Sequence, residues 1–91
     1  MKKKTVLIVE DELDMRIFIS TLLETSGYQP VLTRDGTEGM LKAKDMCPDL
    51  IILDVMMPII NGFNICRLLK SEQGTKDVPV VLLTSRVEEE D

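Results

Sequence analysis

The sequence predicts an α/β domain built on a doubly wound parallel sheet, and three observations carry that expectation. Thr5–Val9, Leu50–Leu53 and Val78–Leu83 are short runs that are apolar almost throughout rather than at alternate positions, as strands covered on both faces are. The segments between them space their apolar residues at helical intervals. Strand and helix therefore alternate, which gives a parallel sheet with right-handed crossovers.

Thr5–Val9 is the first strand and stops at three acids, Glu10, Asp11 and Glu12. From Asp14 onward Met15, Phe18, Ile19 and Leu22 fall at i, i+3, i+4 and i+7, an amphipathic helix that Gly27 ends. Tyr28–Thr33 is the second strand, and Pro30 within it cannot donate to a ladder, which assigns it to a sheet edge. Asp35–Met46 is a weaker helix, diluted by Gly36 and Gly39 and closed by Pro48. Leu50–Leu53 leads directly to Asp54, and a loop with Pro58 and Gly62 enters a third helix that places Ile65, Leu68 and Leu69 on one side. Val78–Leu83 is the fourth strand and ends in Thr84 and Ser85. Ser85 to Glu88 fits a capping box that starts one more helix.

With 91 residues and 44% of them hydrophobic, the chain builds one domain with one modest core. Sixteen acidic against 11 basic residues give a net charge of −5, and Phe18, Tyr28 and Phe63 are scattered, so neither a phosphate-binding surface nor a base-stacking platform for nucleic acid is present. Cys47 and Cys66 lack CxxC spacing and there is no histidine, which excludes a zinc set and leaves two reduced, partly buried thiols. Lys2 to Lys4 precede an apolar run too short for a secretory leader, and nothing approaches a membrane span, so a cytoplasmic location is expected.

In open parallel sheets ligands bind beyond the carboxyl ends of the strands. Glu10 and Asp11 close the first strand, Asp54 the third and Thr84 the fourth, so three carboxylates and a hydroxyl converge on one edge. A single strand-end aspartate is commonly a turn former or helix cap. Several together repel one another unless a cation lies between them. All-oxygen donors with room for water suit Mg2+. An Asp54 nucleophile beside such an ion would accept a phosphoryl group, with Thr84 bonding a phosphate oxygen.

Val6 to Glu12, Ile51 to Pro58 with Gly62, and Val81 to Ser85 closely resemble, in order and across the whole chain, the motifs of response-regulator receiver domains of two-component signalling. The resemblance implies a flavodoxin-like strand order 2-1-3-4, with Asp54 as phosphoacceptor and Asp11 and Asp54 as direct Mg2+ ligands. It makes the Met56 carbonyl a third ligand, Glu10 a more distant one acting through water, and Thr84 the switch hydroxyl. Met57 and Pro58 shape the loop, and Gly62 permits the entry to the following helix. The implied donor is a sensor histidine kinase or a histidine phosphotransfer protein, docking near Arg16, Phe18 and Ile19. Such a domain is a self-phosphorylating signalling module rather than an enzyme in its own right.

The family pattern has a fifth strand carrying a lysine, and none of these 91 residues matches it: Lys70 and Lys76 fall on a surface helix and the loop after it. Residues 1–91 are accordingly read as an incomplete receiver that reaches only the start of the fourth helix. Phosphorylation is then slowed on the order of 100-fold or more, and the free edge of the fourth strand is a surface for a homodimer. The rival reading is a receiver-like module that pairs but is never phosphorylated. A phosphohydrolase would need an acid where Met56 stands, and a nucleotide-binding loop would be glycine-rich where Glu10 to Glu12 stand.

Overall fold

The computed structural model describes residues 2–57 and 62–83. Thr84, Pro58 and the Ser85 capping box fall outside the described residues. Seven elements follow in order: β1 (Thr5–Val9), α1 (Leu13–Thr25), β2 (Gln29–Thr33), α2 (Gly36–Met46), β3 (Leu50–Asp54), α3 (Gly62–Ser71) and β4 (Val80–Leu83). The four strands pair in parallel in the order β2-β1-β3-β4.

Side chains alternate across the sheet, and this sorts the helices onto its two faces. Leu7, Val9, Ile51 and Leu53 point to one face and are closed over by Ala43 of α2 and by Ile65 and Leu69 of α3, all fully buried. The opposite face belongs to α1. Pro30 is opposite Val6 on β2, and β2 is an edge strand, where a residue without an N–H costs least.

Several sequence boundaries shift for identifiable reasons. Asp35 is not the first helical residue but the N-cap of α2, its Oδ1 accepting from the Glu38 amide at 2.8 Å. The fourth strand begins at Val80 rather than Val78, because the Val78 amide is committed to the Thr75 carbonyl and Pro79 has no N–H, its carbonyl instead accepting from Ile51. Cys47 caps α2 in the left-handed region at φ 47° and is exposed rather than partly buried, whereas Cys66 is half-buried; both are free. Lys70 lies on α3 as expected, donating to the carbonyls of Lys76 and Val78.

The amphipathic reading of α1 also needs correction. Its period is right, and Met15, Phe18, Ile19 and Leu22 do share a face, but only Ile19 is buried; Phe18 is 59% exposed. That face borders an apolar trough of about 370 Å³ floored by Ile52 and Leu83 and ending at Glu10. Among the described residues no helix is long and apolar enough to cross a membrane.

Burial separates core from rim in a way that unfolding can read. Ile51→Ala, at a fully buried position between β1 and β4, is expected to cost about 2–5 kcal/mol in urea denaturation. Phe18→Ala is expected to cost less than about 1 kcal/mol. Equal losses would show that the trough is closed in solution.

Candidate functional site

Parallel pairing of β1 with β3 sets Val9 opposite Leu53, so the residues after them, Glu10 and Asp54, leave the sheet side by side. Asp54, the last residue of β3, is opposite Leu83 of β4, and the Val55 amide donates to the Leu83 carbonyl. Both acids are buried, each 3% exposed, while Asp11 is open to solvent. One carboxylate oxygen from each of Glu10, Asp11 and Asp54 lies within 4.8 Å of the other two. The convergence expected of the strand ends is therefore present for the three carboxylates.

The Asp54 carboxylate is held by its own loop. Its Oδ1 accepts from the Met56 amide at 2.9 Å, a two-residue return that fixes the carboxylate orientation at the strand end. The Met56 side chain is exposed, while Met57 is buried and joins the core, which anchors the loop from below. Gly62 begins α3 with its amide donating to the Val55 carbonyl at 3.2 Å. A Cβ at Gly62 would lie 2.5 Å from the Asp54 carbonyl oxygen and 2.7 Å from Val55 Cα, both backbone atoms. Glycine is thus required there by the closeness of the helix to the acid's main chain, not by an unusual backbone angle.

Glu10 is the most perturbed member of the site. Burial is the main cause, reinforced by contact with the Asp54 and Asp11 carboxylates, and together they raise its pKa from 4.5 to about 7; the Glu12 amide, donating to its Oε2 at 3.1 Å, opposes the rise. Bringing the three carboxylates together therefore disfavours the charged form of Glu10. A divalent cation would supply positive charge among the three acids, and the all-oxygen donor set suits a hard ion such as Mg2+.

Sequence reasoning missed two residues that build this site. Thr33, fully buried at the end of β2, donates from Oγ1 to the Ile8 carbonyl at 2.8 Å, and its own carbonyl accepts from the Glu10 amide. Arg16 reaches back from α1, its Nη1 donating to the Glu10 carbonyl at 2.8 Å. A polar residue ending an edge strand was a visible signal for the first; the second had none beyond its place one turn after the acids. Among the described residues, no buried polar side-chain atom lacks a partner.

Since the folded pKa of Glu10 lies above its unfolded value, the folded state binds more protons than the unfolded one between pH 4.5 and about 7. The stability Glu10 contributes is present below that window and lost as pH rises through it. Metal-free Glu10→Gln is therefore expected to gain in urea midpoint over the parent as pH rises from 5 to 8. A difference that stays constant with pH would contradict the raised Glu10 pKa.

The family model for the response regulator receiver domain matches residues 6–91. The phosphate regulon transcriptional regulatory protein PhoB of Klebsiella pneumoniae is 43% identical over 88 residues, covering 97% of this chain and 38% of that protein. The chain therefore spans well under half the length of that relative. In three dimensions it is similar to the chemotaxis protein CheY4 of Vibrio cholerae, with a TM-score of 0.88, 31% identity and coverage of 96% of this chain and 72% of that one. It is also similar to the response regulator TrrA of Thermotoga maritima in complex with Mg2+–BeF, with a TM-score of 0.85, 31% identity and coverage of 91% and 70%.

Proposed function

The chain belongs to the response-regulator receiver family, and from that premise we propose that Asp54 accepts a phosphoryl group from a phosphohistidine, beside a Mg2+ held by the acids around it. The observation that carries this reading is the placement of Asp54: a buried carboxylate at a strand end, oriented by its own loop and within reach of two further carboxylates.

Asp11 and Asp54 would hold the ion directly, with the Met56 carbonyl as a third donor and Glu10 acting through water. When bound, Mg2+ supplies the positive charge that lets the carboxylates and the phosphoryl oxygens share one space. The chain's own contribution is orientation. The Met56 amide fixes the Asp54 carboxylate, and Gly62 leaves the space that keeps the Asp54 main chain in place. In transfer, a bond forms between an Asp54 carboxylate oxygen and phosphorus as the phosphorus–nitrogen bond of the donor breaks, and the electron pair leaves on the imidazole nitrogen. Thr84 follows β4 directly and would bond a phosphoryl oxygen. Met57, buried in the core, anchors the loop after Asp54, and Pro58 would help to shape it.

The sequence contains no histidine, so the donor imidazole lies outside these 91 residues, on a sensor histidine kinase or a histidine phosphotransfer protein. Phosphorylation would then bias one of two conformations of an output surface, in a cytoplasmic setting.

A second reading, a receiver-like module that pairs without being phosphorylated, draws on one observation: among the described residues β4 is last in the strand order with Val81 and Leu82 exposed, an edge able to pair with another copy. One experiment separates the two. Incubation with acetyl phosphate and Mg2+ is expected to add one phosphoryl mass, seen by intact-mass spectrometry, and to add none to Asp54→Asn or in the presence of a chelator. Mass gain that persists in Asp54→Asn would contradict the assignment of the acceptor, and no gain in any sample would favour the pairing module.

A further inference from the structure

The turn formed by residues 10–12 carries two of the three acids, and its fastening is unusual. The Glu10 amide donates to the Thr33 carbonyl at 3.1 Å and the Arg16 amide to the Glu12 carbonyl at 3.0 Å, as strand exits and helix starts ordinarily do. Glu12 occupies the N-cap of α1 but makes no side-chain cap bond, so the commonest device for fixing such a turn is absent here. In its place a side chain reaches back six residues. Arg16 Nη1 donates to the main-chain carbonyl of Glu10 at 2.8 Å, a charge-assisted bond to a neutral acceptor.

The geometry points to Arg16 as a positioning residue for the cation site: its guanidinium clamps the Glu10 carbonyl and so fixes the turn that presents Asp11. Arg16 is half-buried and forms no ion pair with a described carboxylate; the ion pairs among the described residues are Arg34–Glu38 and Lys44–Glu72. Its charge is therefore not spent on a surface pair, and its donor is directed at the turn. Glu10 is held in place by burial, whereas Asp11 is exposed, and beyond its contact with the Glu10 carboxyl its position depends on the turn's backbone. Releasing the clamp frees that backbone, and a cation must then order it on binding. The ordering entropy of one residue's backbone corresponds to about a tenfold loss of affinity.

The inference rests on reading Glu10, Asp11 and Asp54 as a cation site, and its test keeps the two claims apart. Magnesium alone is titrated by calorimetry into the parent, Arg16→Met, which keeps an apolar stem without a donor, and Arg16→Lys, which keeps a cationic donor. Arg16→Met is expected to bind magnesium about tenfold more weakly with its urea midpoint close to the parent's, and Arg16→Lys to recover most of the affinity. Hydrogen exchange at the Glu12 amide supplies a readout that a packing role would not move: it should speed up in metal-free Arg16→Met and return to the parent rate under saturating magnesium. Parent-like affinity in Arg16→Met overturns the clamp. So does an equal loss in both variants accompanied by a lowered urea midpoint, which makes Arg16 merely structural. Should the parent itself not bind magnesium, the cation reading fails, and Glu12 exchange still decides the clamp, with an unchanged rate in Arg16→Met overturning it.

Discussion

Parallel pairing of β1 with β3 brings Glu10 and Asp54 together at the end of the sheet, where neither can move away from the other without breaking a ladder. Burying two carboxylates in one place with a third at 4.8 Å or less is unfavourable unless positive charge is supplied. The strain falls mainly on Glu10, whose pKa rises to about 7, and the rest of the site follows from the same constraint. Amides and a guanidinium, rather than further acids, surround the triad: the Met56 amide on Asp54, the Glu12 amide on Glu10, and Arg16 on the turn's carbonyl. A fold whose hydrophobic core would tolerate many sequences thus carries, at one edge, a carboxylate cluster whose charged form is disfavoured without added positive charge.

The core that enforces this arrangement is small, and its main cluster lies on one face of the sheet. Leu7, Val9, Ile51 and Leu53 are sealed by α2 and α3, so β1 and β3 are rigid where their ends must meet. Met57 extends that core beneath the loop, and Gly62 lets α3 approach the Asp54 backbone more closely than any side chain would allow. Packing and chemistry therefore meet in the same few residues, which is why substitutions around Asp54 are expected to act on stability and on the site together.

Much of this was legible in the sequence. Thr5–Val9 stands out as a strand because nearly every residue is apolar, Pro30 marks an edge, and the acids at the strand ends indicate where the three carboxylates cluster. What was not legible has physical causes. The α1 period identified the inward face correctly, but periodicity gives the direction of a face and not what covers it, and most of that face borders an open trough. The start of β4 depended on where the Val78 amide goes, a tertiary fact. Glu10 and Asp11 are neighbours past the end of β1, yet Glu10 is buried and Asp11 exposed, a difference that adjacency in the sequence does not encode. Arg16 and Thr33 act through backbone carbonyls, and no residue pattern encodes such a partner.

The central claim is that the three carboxylates are a site for a divalent cation and that their mutual repulsion is the reason for it. Thermal or urea unfolding at pH 8 with increasing magnesium, run on the parent and on Asp11→Asn, tests this most directly. In the parent the midpoint is expected to climb with magnesium, as binding to the folded state alone requires, and in Asp11→Asn to climb much less. A midpoint indifferent to magnesium in the parent, or an equal climb in both proteins, would contradict it.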